Sequence, residues 1–302
     1  MLFGVLNINK PTGVTSRYVV DQVQRLVRPA KAGHTGTLDP LATGVLVLCV
    51  GPATRLVEYI QRLPKAYRGR FLLGHESPTD DIEGAVTRLS NPPIPSRSTI
   101  EREIQRFIGT IEQQPPIYSA VKVGGRRAYA LARAGERVEL PFRKITIHTM
   151  QVVEYAYPEL VLDICCSSGT YVRAIGRDLA TALGSGAVMS ELTRTAIGGF
   201  HLENACELKK YNETNLAGQL LSPVRAVEEI PHIVLTAQEA EDICCGRKIF
   251  RDLQAAPSEV AGIHKEELLA ILRKDGSGRL APAKVFPFGS LRRNCEETHI
   301  AG

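Results

Sequence analysis

From Gly33 to Gly44 the chain reads Gly-His-Thr-Gly-Thr-Leu-Asp-Pro-Leu-Ala-Thr-Gly, and it then turns apolar through Val45-Leu46-Val47-Leu48-Cys49-Val50. Three glycines and a proline exclude long regular structure ahead of the apolar run, which itself predicts a buried strand or the start of a buried helix. The carboxylate of Asp39 therefore falls on a loop held by a rigid element, where binding and catalysis concentrate. An Asp before a Pro also starts turns, so on these residues alone an Asx turn is the better account of Asp39.

The rest of the chain reads as strands and helices in mixed order. Val5 to Asn9 predicts a strand ended by Pro11 and Gly13, and Ser16 is placed to cap a helix running to about Val27. Tyr67 to Leu73 alternates like a strand, Thr99 to Ile108 reads as a helix started by Ser98 or Thr99 and stopped by Gly109, and Lys144 to Tyr155 returns to strand character. Leu160 to Cys166 predicts a strand feeding Ser167-Ser168-Gly169-Thr170. Val172, Ile175, Leu179 and Leu183 then fall on one helical stripe, with Thr170 as a candidate cap. Arg173 sits in the first turn of that helix, where a cation opposes the macrodipole. A facing carboxylate would offset the conflict; an exposed helix arginine is the other reading.

Net charge is only +5, but it is unevenly placed. Between Val121 and Lys144 stand Lys122, Arg126, Arg127, Arg133, Arg137, Arg143 and Lys144 against Glu136 and Glu139 alone. Tyr118, Tyr129 and Phe142 interleave with them, a combination that grips phosphates and stacks bases, though a solvated basic face has the same composition. We read Tyr118 to Arg143 as a projecting arm. Past about Pro231 the texture becomes that of a small β-rich module, with a short helix near Glu239 to Cys245 and a strand at Leu268 to Leu272, and Ser290 to Gly302 reads as a disordered tail. The expected division is 1–230, 231–289 and 290–302. Seven cysteines without a Cys-x-x-Cys pair fit neither a disulfide framework nor a zinc site, and no run approaches the length of a membrane span. With no leader-like start, this predicts a cytoplasmic protein with reduced thiols.

Five segments in order carry a resemblance. Leu6-Asn7-Ile8-Asn9-Lys10-Pro11 through Ser16, Gly33 through Leu56, Lys65-Ala66-Tyr67-Arg68, Gln114-Pro115-Pro116-Ile117-Tyr118 through Lys122, and Cys166 through Ile175, with Leu192 to Phe200 beyond, resemble the bacterial TruB-type tRNA pseudouridine synthases. The resemblance implies an α+β pseudouridine-synthase fold, with a mixed, mostly antiparallel central sheet flanked by helices and a C-terminal PUA-like domain. It implies isomerisation of the T-loop uridine conventionally numbered 55, flipped out of its stack, in tRNA. The protein would act as a monomer, without a cofactor, metal or obligate protein partner.

Residue by residue, the resemblance makes Asp39 the nucleophile, Arg173 its ionic partner and Tyr67 the aromatic that stacks on the target base and helps remove its C5 proton. His34 would prop the space vacated by the nucleotide, Leu192 would wall the uracil pocket, and Lys10 and Pro11 would be structural. Thr37, Lys122, Arg126, Arg127 and Arg143 complete the expected substrate-binding set. Two departures stand out: Ser77-Pro78 where the family usually has Thr-Asp, which puts the role of that acid in question, and Thr193-Arg194 where Arg-Arg is common, an expected loss of one phosphate contact. Asp80, Asp81 and Glu83 form an acidic cluster without the further ligands a metal needs. Two other functions fit the same features: a non-catalytic tRNA-binding or tRNA-folding protein, and a synthase with another RNA target, such as a guide-RNA-directed enzyme.

Overall fold

The apolar run after the glycine-rich loop becomes a strand, Thr43–Val50, buried on both faces because period-two alternation sends its side chains into two different cores. Leu46, Leu48 and Val50 pack under the helix Ser16–Val27 (α1) against Val19, Val20, Val23 and Val27. Val45, Val47 and Cys49 face the opposite way, onto Leu56, Ile60 and Phe200. The computed structural model describes residues 1–119, 121–123, 125–128, 131, 134, 136, 140–251, 258–275 and 278–287.

A ten-stranded sheet organises the larger part of the chain. Its strands are Gly4–Lys10 (β1), Ala32–His34 (β2), Thr43–Val50 (β3), Lys65–Leu73 (β4), Gly109–Gln113 (β5), Arg143–Ala156 (β6), Glu159–Cys166 (β7), Ala187–Ile197 (β8), Phe200–His201 (β9) and Cys206–Glu207 (β10). The order across the sheet is β10-β1-β3-β8-β4-β7-β6-β5, with β2 beside β3 and β9 beside β8. Only β10–β1 and β3–β8 pair in parallel, so the sheet is mixed and mostly antiparallel, as expected. At the β3–β8 junction Gly44 lies opposite Arg194 with φ +97°, and a Cβ there would stand 2.2 Å from the Arg194 carbonyl oxygen, so only glycine lets the two strands meet.

The helix Val172–Ala182 (α4, after Val57–Arg62, α2, and Arg97–Ile104, α3) covers the other half of the sheet through Val172, Ile175 and Leu179. Gly176 is the reason it packs closely: a Cβ would stand 2.2 Å from the Phe71 ring. Three predicted caps are corrected. Thr15, not Ser16, caps α1, accepting from Tyr18 N, because the Ser16 hydroxyl is committed elsewhere. Ser96, two residues before the expected start, caps α3 through the Thr99 amide. Thr170 donates instead to the Ser167 carbonyl, and Gln113 of β5 binds both main-chain groups of Tyr171 at the head of α4.

The C-terminal β-rich unit has its own five-stranded sheet and a helix, Ala237–Cys244, begun by a Thr236–Glu239 capping box. Its apolar face is not self-contained. Ala261, Leu268, Ile271 and Phe286 share one core with Val5, Val45, Val47 and Cys49 of the large sheet, and Phe286 stacks on Phe3 with ring centroids 5.3 Å apart. Lys284 bonds the Arg55 carbonyl and the Glu58 carboxylate beside this seam. Phe286→Ala is therefore expected to cost about 3–5 kcal/mol of whole-chain stability in urea unfolding. A loss confined to local fraying of the C-terminal sheet would contradict a shared core. Cys49, Cys165, Cys166 and Cys206 are free thiols, whereas Cys245 is disulfide-bonded, against the expectation of reduced thiols throughout. Among the described residues no helix is long and apolar enough to cross a membrane. The predicted tail and much of the predicted arm, including Tyr129, Arg133 and Arg137, lie outside the described residues.

Candidate active site

The loop carrying Asp39 is held by side chains on both sides of it. Ser16 Oγ accepts from the Leu38 amide at 2.8 Å and donates to the Leu38 carbonyl at 3.1 Å. Lys10, fully buried, donates Nζ to the carbonyls of Pro11, Val14 and Pro40 at 2.9, 2.7 and 3.3 Å. Burial pulls the Lys10 ammonium down to about 8, still charged at neutral pH, and its three bonds use all three donors. Arg194 reaches the Gly36 carbonyl at 3.1 Å and the Thr37 carbonyl at 3.5 Å. Every residue from Gly36 to Pro40 is thus fixed through its main chain, the Asp39 carbonyl accepting from the Ala42 amide at 3.1 Å, and the Asp39 carboxylate is left 38% exposed at the cleft.

Arg173 explains its own awkward place on α4. Its side chain is 8% exposed, with Nη2 3.0 Å from Asp39 Oδ2 and Nη1 2.9 Å from Asp81 Oδ2. Nη1 also donates to the Thr79 carbonyl at 2.9 Å and Nη2 to the Tyr118 carbonyl at 3.4 Å. The buried Asp81 is itself anchored, accepting from Thr79 Oγ1 at 2.6 Å and from the Glu83 amide at 3.1 Å. One turn further along α4, Arg177 pairs with Asp80 at 2.8 Å and binds the Gln114 carbonyl. Two members of the acidic cluster are thus spent on arginines, and the acid absent at Pro78 leaves no gap at Arg173, because Asp81 stands there. Among the described residues no group of three potential ligands is placed to hold a metal ion.

These groups meet in a cleft of about 870 Å³ lined by Thr37, Asp39, Tyr67, Arg143, Arg173 and Leu192. Tyr67 comes from β4 and Leu192 from β8, so the site spans the middle of the sheet. Tyr67 is buried, and burial pushes its hydroxyl above the usual tyrosine range. Arg143 bonds the Gly169 carbonyl and lies over the Tyr171 ring.

Among the described side chains, His34 and Arg126 do not line the cleft. His34 sits half-buried on β2, its Nδ1 without a hydrogen-bond partner among the described residues and its pKa lowered first by burial. Lys122 and Arg127 pair across a short hairpin, and Arg126 beside them is exposed and 2.9 Å from Glu136. Asp81 and Arg194 are the residues at the site to which the sequence reading gives no role. Arg194 is 1% exposed and bonded to main-chain carbonyls.

Residues 24–172 match the model of the TruB family pseudouridylate synthase N-terminal domain. A tRNA pseudouridine synthase B from Dehalococcoides mccartyi is 38% identical over 298 residues, covering 97% of this chain and 99% of its own. The chain belongs to the TruB family of pseudouridylate synthases. A second relative, the tRNA pseudouridine synthase B of Heliobacterium mobile, is 42% identical over 235 residues, 77% of this chain and 76% of that one. In fold, this TruB-family chain is similar to one in a Cbf5–Nop10–Gar1 complex, with TM-score 0.71, 24% identity and coverage of 95% and 84%. It is also similar to one in an H/ACA RNP bound to a substrate RNA containing 2'-deoxyuridine, with TM-score 0.71, 23% identity and coverage of 96% and 87%.

Proposed function

We propose that this TruB-family enzyme converts the T-loop uridine of tRNA, position 55, to pseudouridine, with Asp39 as nucleophile. The observation that carries the reading is the Asp39–Arg173 pair at 3.0 Å, exposed on its carboxylate side to a cleft that also presents Tyr67 and Leu192. The names of the relatives supply the substrate class. Isomerisation breaks the N1–C1′ bond, turns the uracil and joins C5 to C1′, with the C5 proton lost and one proton regained at N1. A carboxylate attacking either C6 or C1′ begins from its ionised form, and no electron or phosphoryl group is transferred.

Tyr67 stacks on the base and handles the C5 proton, Leu192 walls the uracil, and His34 and Thr37 support the loop beneath the extruded nucleotide. Flipping that nucleotide costs a few kcal/mol, which phosphate contacts from Lys122, Arg126, Arg127 and Arg143 offset. The catalytic part is 1–230 and the RNA-gripping module 231–289, acting as a monomer in the cytoplasm. Carbodiimide adduct mapping of unmodified tRNA incubated with the protein tests the target: a single reverse-transcription stop at the T-loop uridine is expected, and stops elsewhere or none would overturn it. Replacing Arg126, Arg127 and Arg133 with Ala should weaken tRNA binding and flatten its salt dependence by up to about one unit of log–log slope per lost contact. An unchanged slope would show the arm to be solvated surface.

A further inference from the structure

Arg194 is a guanidinium in the interior whose described partners are not carboxylates. Nε donates to the Val45 carbonyl at 2.7 Å, Nη2 to Gly36 at 3.1 Å and Nη1 toward Thr37 at 3.5 Å. It stands directly opposite Tyr67 in the β4–β8 register, so the two side chains share a face of the sheet, and both line the cleft. Arginine has donors and no acceptor, so any bond between them has the Tyr67 oxygen accepting and its own proton free for the cleft. We propose that Arg194 is a positioning residue that ties the Asp39 loop to Tyr67 and sets the direction of the Tyr67 hydrogen bond. The inference rests on the catalytic role proposed for Tyr67. To act as a base Tyr67 gives its hydroxyl proton to cleft water before the C5 proton arrives, and a buried cation with no carboxylate among its described partners stabilises that phenolate, which the C5 proton then neutralises.

Arg194→Gln and Arg194→Lys are compared with the parent for tRNA affinity, single-turnover tritium release from C5-tritiated uridine, and the fluorine resonance of 3-fluorotyrosine at position 67. Displacement of groups that must align costs on the order of a hundredfold in rate, which is the loss expected for Arg194→Gln. Affinity should stay within about threefold, Arg194→Lys should recover about tenfold through its retained charge, and the fluorine resonance should move in both. A rate near the parent's, or a lost rate with an unmoved resonance, would overturn the proposal.

Should both variants unfold, Tyr67→Phe tests the contact from the other side. The Arg194 guanidinium signals in its proton–nitrogen spectrum shift if the bond exists and stay in place if it does not. A parental rate in Tyr67→Phe would refute the role of Tyr67 and the inference with it. An inactive Tyr67→Phe beside a fully active Arg194→Gln would refute the inference alone.

Discussion

Asp39→Asn is expected to lower the single-turnover rate of pseudouridine formation by at least about a thousandfold, the scale seen when a nucleophile is removed, while tRNA affinity holds. The substitution keeps size and shape but leaves a neutral amide where attack requires a carboxylate. Nothing in the loop depends on that side chain for its place: Lys10 holds Pro40, Ser16 holds Leu38 and Arg194 holds Gly36, all through the main chain. Rate loss without unfolding can therefore be read as chemistry. A purified variant within about tenfold of the parent would remove Asp39 from the nucleophile's role.

Arg173→Lys should be nearly as damaging although it conserves charge. The guanidinium fork reaches Asp39 with one nitrogen and Asp81 with the other, plus the carbonyls of Thr79 and Tyr118. A lysine ammonium is a single point with three donors and cannot bridge both carboxylates. Leaving a buried carboxylate unpaired costs about 3–5 kcal/mol, more than an exposed pair contributes, so the ammonium should go to Asp81, 1% exposed, and abandon Asp39, 38% exposed. The expected result is a kcat lowered by about a hundredfold or more with little change in tRNA affinity, since a displaced reacting group costs on that order. Near-parental kcat in Arg173→Lys would show that the Asp39–Arg173 contact does not orient the reacting carboxylate.

Some of this arrangement is legible in the residues. The run Val45 to Val50 announces a buried element, strand or helix, which the structure makes a strand covered on both faces, and α1 follows from the spacing of Val19, Val20, Val23 and Val27. Arg173 is conspicuous because a cation in the first turn of a helix needs a partner, and the structure supplies two. Asp81 is not legible, because its meeting with Arg173, 92 residues away, is made by a loop whose path no local pattern specifies. Arg194 could have been found: it stands two residues after Leu192 on β8, so the same alternation that turns Leu192 to the cleft turns Arg194 there too. The continuous apolar stretch Leu268-Leu269-Ala270-Ile271-Leu272 likewise signals a strand covered on both faces. Its second cover is the large sheet, so the C-terminal unit shares a core with that sheet rather than resting on its surface.

Release of tritium from C5-tritiated uridine in unmodified tRNA measures directly whether this chain alone performs the isomerisation. With purified protein after exhaustive chelation and dialysis, on a prefolded T-stem-loop, release approaching one tritium per RNA is expected without added nucleotide or metal. No release from that RNA, or release only when a divalent ion is restored, would contradict it.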